Sequence, residues 1–218
     1  MKYLIGIGCG FFNYLLHLAW VQKEQDDRKE SVIKAMFPNT WPRVIALLLY
    51  PAAETLAAAA FTAYGYGPLK IVRYCVLMGA LIPIAYKDYK EKTIPNRYLA
   101  VLAGIRVFLL IAESAAYPFA ILENVKFTLI GALMGGGILF FTYIVTRHGI
   151  GLGDVKLFAV IGMYIGSQRT YIAILASLLI AAAYGVVKVI GKRLRVKDEI
   201  AFAPFTAIGT LIILGLGF

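Results

Sequence analysis

The sequence predicts an all-α, polytopic membrane protein with about eight transmembrane helices, within a range of six to eight. Three observations carry this expectation. Hydrophobic residues make up 61% of the 218-residue chain and mean hydropathy is +0.77, whereas a soluble domain needs about half its residues polar to clothe its surface. Apolar runs close to the length of a bilayer crossing, roughly 20 residues, recur from one end to the other. Charged residues are only 16% of the chain, and they cluster between those runs.

The runs fall near residues 3–20, 44–64, 69–86, 98–115, 127–146, 155–168, 171–190 and 201–218. The first ends in Leu18-Ala19-Trp20-Val21, a poor small-residue cleavage site, so it reads as a helix and not as a cleaved leader. The sixth is short and the eighth ends the chain, so the count could be seven. Residues 21–43 form the longest polar stretch, too short to be a domain. Mixed charges, Pro38 and Pro42 mark it as a loop. With no repeat and no composition shift, residues 1–218 read as a single integral membrane domain. Cys9 and Cys75 both lie inside apolar runs and form no C-x-x-C pair, so neither a structural zinc site nor a disulfide is expected.

Net charge is +10. In a soluble domain this would suggest nucleic acid as a partner. Here the positive charges lie in alternate connections, and lipid is the expected surrounding instead. With the N-terminus outside, 16 of the 22 Lys and Arg residues fall in the inner connections 21–43, 87–97, 147–156 and 188–200, and five fall outside. Cytoplasmic loops of membrane proteins carry such an excess.

Most of the twelve acidic residues sit in connections or at outer ends, Glu113 among them. Glu54, Asp88 and Asp154 demand more, because a carboxylate within or at the edge of a span is costly and marks function by default. Asp88 follows the third run in Asp88-Tyr-Lys-Glu-Lys-Thr-Ile-Pro95-Asn96. Its plain reading is a solvated loop acid among lysines. Asp154 ends the glycine turn Gly149-Ile-Gly151-Leu-Gly153-Asp154-Val-Lys156. It reads either as the cap of the next helix or as a catalytic group. Taken together, the two aspartates sit at the inner ends of membrane helices. Two neighbouring carboxyls can share a proton, one activating water and the other polarising a carbonyl. His17 and His148, the two histidines, supply neither a triad nor enough ligands for a metal. Glu54 and Arg106 lie at similar depth within spans, where an internal ion pair or polar contact is the plain reading and a site for a methyl donor the other.

These residues resemble the type IV prepilin peptidases. Gly151-Leu152-Gly153-Asp154 is similar to that family's G-x-G-D motif, and Asp88 with Ile94-Pro95-Asn96 resembles its first aspartate and the turn after it. Gly10-Phe11-Phe12-Asn13, Tyr50-Pro51-Ala52-Ala53-Glu54 and Ala201-Phe202-Ala203-Pro204-Phe205 resemble further stretches of the bacterial branch, in the same order. The resemblance implies an aspartyl endopeptidase of the plasma membrane. It would cut basic leaders from prepilins or pseudopilins at the cytoplasmic face, with Asp88 and Asp154 catalytic and Gly151, Gly153, Lys156, Pro95 and Asn96 supporting them. Proteolysis of this kind needs no cofactor and no metal. Methylation of the mature pilin, which many bacterial members also perform, uses S-adenosylmethionine. Residues 21–43 stand where those members carry a domain with two C-x-x-C pairs. A different class, a proton-coupled transporter relaying through Glu54, Asp88 and Asp154, remains the alternative.

The charge distribution makes a topological prediction. Single cysteines introduced within 87–97 or 188–200 should resist a membrane-impermeant thiol reagent in intact cells. Rapid labelling there would invert the orientation.

Overall fold

The computed structural model describes residues 2–25, 41–146, 149–191 and 200–217. Among them lie eight α-helices and no strand: α1 (Lys2–Gln25), α2 (Trp41–Ala63), α3 (Pro68–Glu91), α4 (Asn96–Ala116), α5 (Ile121–Val145), α6 (Leu152–Ile165), α7 (Ser167–Ile190) and α8 (Ala203–Gly215). A 3-10 turn, Pro118–Ala120, leads into α5. Each of the eight apolar runs coincides with one helix. An all-helical chain is what lipid imposes, because a helix satisfies its backbone N–H and C=O groups within itself. Four segments are long and apolar enough to cross a membrane: α3, α4, Pro118–Val145 and α7. Shorter apolar stretches occupy α1, α2 and α8.

The structure moves several boundaries. Helix α3 continues to Glu91, so Asp88 lies on a helix and not in a loop. Helix α6 starts three residues before the predicted run and ends at Gly166, whose φ of +79° halts it. Helices α1 and α2 extend into the predicted 21–43 loop, as far as Gln25 and from Trp41. The rest of that loop, His148, and most of the basic stretch 188–200 lie outside the described residues.

The chain divides into two compact units, Met1–Pro83 and Ile84–Phe218. In the first, α1 and α2 approach so closely that a Cβ on Gly6 would collide with the backbone at Thr55. One on Gly10 would collide with Pro51. Glycines one turn apart open a groove on α1 that admits the neighbouring backbone, a common device where lipid gives no hydrophobic drive to association. Tyr14, Leu18 and Tyr50 pack beside this contact.

In the second unit α6 is the central element, touching α4, α5 and α7. It is only 14 residues long, and Val155, Leu157, Phe158, Val160, Ile161, Gly162, Tyr164 and Ile165 are all buried. Gly131 of α5 and Gly162 of α6 face one another, and a Cβ on either would strike the carbonyl of the other. Gly135 meets the carbonyl of Phe158 in the same way one turn along. Many side chains of α5, including Leu129, Leu133, Phe141 and Ile144, are exposed, as expected of a helix with lipid for a neighbour.

Candidate functional site

The site builds from three short segments of the second unit. Asp88 lies in the last turn of α3, where its carbonyl accepts the N–H of Lys92 at 2.8 Å. Lys92 has φ +51°, a left-handed conformation that commonly ends helices. The chain then turns through Ile94 to Pro95, which stands at the N-cap of α4 with φ −75°, close to the value its ring imposes. Asp88 is 5% exposed, so the reading as a solvated loop acid is corrected. Lys90 and Lys92 are exposed and Lys87 half-buried, while the position of Asp88 on the helix turns its carboxyl inward. Its Oδ2 accepts the backbone N–H of Ala203 at 2.8 Å, from the first residue of α8. Phe202, just before, tilts against Phe158 of α6 at 6.1 Å between ring centroids.

Asp154 is the third residue of α6. Gly151, not Asp154, occupies the N-cap, which corrects the capping alternative. The carboxyl reaches back toward the Gly151 N–H, the half of a capping box that an acid at this position supplies. The two motif turns meet directly: a Cβ on Gly153 would lie 3.2 Å from the Cβ of Ile94. Glycine is therefore what allows the approach. Beside this contact Lys156 Nζ donates to Asn96 Oδ1 at 3.0 Å. Asp88, Pro95, Asn96, Gly151, Gly153, Asp154 and Lys156 thus form one cluster.

Asp154 stands just ahead of the apolar part of α6. Burial, and after it the charge of Asp88, push its carboxyl up to about 7, against the opposing pull of the Gly151 N–H. Where two carboxyls interact, the charge on one makes the other harder to ionise, which is the direction of the Asp88 effect on Asp154.

The other two candidates have partners that the sequence did not reveal. Glu54, 4% exposed, accepts Asn13 Nδ2 at 3.1 Å, and the same amide group donates to the Cys75 carbonyl at 3.0 Å. The Gly10-to-Asn13 and Tyr50-to-Glu54 stretches therefore meet within the first unit. Cys9 and Cys75 are buried free thiols. Arg106 is fully buried and forms an ion pair with Glu113 at 3.1 Å. Glu54 thus makes a polar contact with Asn13 and Arg106 an ion pair with Glu113. Glu113, assigned above to an outer end, is 5% exposed. Its signal in the sequence was spacing, because residues seven apart lie two turns along one helix face.

The fold and this cluster define a polytopic all-helical membrane protein with a paired-carboxyl centre at one end of its second unit. The profile of the type IV leader peptidase family matches residues 75–186, and the chain belongs to that family. The prepilin leader peptidase/N-methyltransferase of Bacillus subtilis is 35% identical over 167 residues, 75% of this chain and 64% of that protein. The protein of the same description from Escherichia coli is 29% identical over 80% of this chain and 75% of its own length. That of Aeromonas hydrophila is 28% identical over 85% and 60%. The matched region thus spans well short of these relatives' full lengths. No solved structure matches the chain.

The coupling of the two carboxyls is measurable without substrate. At about pH 6, below the Asp154 midpoint of about 7, the infrared difference between wild type and Asp154→Asn should contain a protonated-carboxyl band. In Asp88→Asn that band should titrate at lower pH, because a like charge has been removed. An unchanged midpoint would mean that the two groups do not interact.

Proposed function

We propose that this chain is an intramembrane aspartyl endopeptidase that removes the basic leader of prepilins or pseudopilins at the cytoplasmic face of the plasma membrane. The observation that carries the reading is the electrostatic contact between Asp88 and Asp154 in a cluster built by the two motif turns. The family and the printed descriptions of the relatives supply the substrate class. The excess of Lys and Arg in alternate connections supports the orientation.

The environments support a division of roles. Burial raises the Asp88 carboxyl, but the backbone N–H groups of Ala203 and Phe202 oppose that rise. Because backbone donors favour the charged form, Asp88 is taken as the ionised partner. Asp154 carries the proton. Asp88 takes a proton from water as its oxygen adds to the scissile carbonyl carbon, and Asp154 protonates the carbonyl oxygen. As the tetrahedral species collapses, the C–N bond breaks, Asp88 passes its proton to the leaving amine, and a hydroxyl proton returns to Asp154. The pair ends as it began, and neither carboxyl can make both transfers alone.

A second reading, N-methylation of the new amine with S-adenosylmethionine as donor, is favoured by one observation. Glu54 Oε2 and Asn13 Oδ1 are buried acceptors without a hydrogen-bond partner among the described residues, so this pair suits a ligand that brings N–H donors, such as an amine. Transport through Glu54, Asp88 and Asp154 has no comparable support, since the family is one of peptidases.

The test is cleavage of a prepilin-type peptide by the purified protein. Asp88→Asn and Asp154→Asn should each lower kcat by at least 10²–10⁴-fold, a range typical of proton-transfer catalysis, while still accumulating in the membrane. Glu54→Gln should keep cleaving. The wild-type rate should fall as pH rises through about 7, where Asp154 loses its proton, and fall again in acid as Asp88 gains one. Near-normal turnover by either Asn variant would remove that residue from the mechanism. Mass spectrometry of the product with S-adenosylmethionine present should reveal one added methyl group in wild type and none in Glu54→Gln, if the second activity resides there.

A further inference from the structure

Arg106 makes polar contacts with three different helices. Its Nε donates to the carbonyl of Met163 on α6 at 2.8 Å. One terminal nitrogen donates to Thr128 Oγ1 on α5 at 2.8 Å, and the other pairs with Glu113 on its own helix, α4, at 3.1 Å. Thr128 is itself anchored to the Asn124 carbonyl at 2.9 Å. Tyr164, beside Met163, donates to the Leu102 carbonyl of α4 at 2.8 Å. Arg106, Glu113 and Thr128 are 5% exposed or less.

This is an expensive arrangement for stability alone. A buried ion pair can often be replaced by apolar residues of similar size without loss of stability, and in lipid the charges have no water to fall back on. What directional bonds supply, and apolar packing does not, is a defined height and rotation. Where α5 and α6 meet, glycine faces backbone at Gly131, Gly135 and Gly162. Contacts of this kind bring helices close but supply no directional side-chain bond. The carbonyl of Met163 belongs to the last turn of α6, which Arg106 also suits electrostatically, as a cation at a helix C-terminus. Asp154 lies nine residues earlier on the same helix, about 14 Å along its axis. At that near end the Lys156–Asn96 bond is exposed and competes with water, so it holds weakly.

We propose that Arg106 is a positioning residue for Asp154: it ties the last turn of α6 to α4 and α5, and so sets where the first turn presents its carboxyl to Asp88. Glu113 keeps the guanidinium charged, paired and aimed. The proposal rests on the peptidase reading for its catalytic consequence, but its geometric part does not. An error of about 1 Å in the placement of a catalytic group can cost a hundredfold in rate, so a modest slide of α6 is enough to matter.

Two variants and two readouts test it. Arg106→Leu/Glu113→Leu removes both charges of the pair together, so neither is left buried without the other. Arg106→Lys keeps a charge for Glu113 but loses the planar fork that reaches several acceptors at once. Both should lower kcat on a prepilin-type peptide by roughly 10- to 100-fold with KM unchanged, and the lysine variant should be the milder. The second readout needs no activity. In a Cys9→Ala/Cys75→Ala background, Ile94→Cys/Gly153→Cys should oxidise to a disulfide, because their Cβ atoms would lie 3.2 Å apart, and a shift of a few tenths of an ångström between the turns brings them to the separation a disulfide takes. Adding Arg106→Leu/Glu113→Leu should reduce the oxidised fraction several-fold. Wild-type crosslinking in that variant overturns the proposal whatever the kinetics do, and so does wild-type kcat in both variants. If the wild-type chain cleaves no prepilin peptide while Arg106→Leu/Glu113→Leu still loses the crosslink, the peptidase reading fails and the anchoring of α6 stands.

Discussion

A guanidinium at the depth of Arg106 has no water to bind, and that constraint organises the second half of this molecule. Left alone, such a charge costs several kcal/mol by most scales. The fold answers by bringing a carboxylate, a hydroxyl and a helix-terminal carbonyl to it from α4, α5 and α6. Three helices are thereby joined at one point, and α6, the most buried of them, is fixed near its end. The opposite end of α6 carries Asp154, whose carboxyl is raised by burial and by the charge of Asp88. One end of the helix neutralises its charge with an ion pair, and the other keeps a carboxyl in surroundings that disfavour ionisation.

The same economy governs the contacts between helices. Gly6 and Gly10 let α2 approach α1, Gly131 and Gly135 let α6 approach α5, and Gly153 lets the two motif turns touch. In each case a missing side chain brings backbones together, and the dispersion contacts so gained substitute for the hydrophobic drive that lipid does not supply. Polar side chains then supply orientation, as Asn13 does with Glu54 and the Cys75 carbonyl.

How much of this was legible in the sequence depended on range. Hydropathy located all eight helices because it sums over many residues. Their ends were harder. Helix α3 runs on to Glu91 because Lys87 and Lys90 are good helix formers, and a polar composition alone did not distinguish a solvated last turn from a loop. That error placed Asp88 in water, whereas it is 5% exposed. Asp154 was identifiable as special from its glycines, yet its place at the third helical position, and not the cap, required coordinates. Long-range partners were out of reach. Nothing local in the sequence joins Arg106 to Met163, or Asp88 to Ala203, while Glu113 was visible only as a charge seven residues from Arg106.

The hydrogen bond from the Ala203 N–H to Asp88 spans 115 residues of sequence, which has a consequence for the order of events in biosynthesis. At about 5–20 residues per second, Ala203 is polymerised on the order of ten seconds after Asp88. Throughout that interval the growing chain carries Asp88 without the backbone donor that holds it. The backbone partner of Asp88 therefore joins it only after α4, α5, α6 and α7 have been made, so this contact is among the late ones to form as the chain is synthesised.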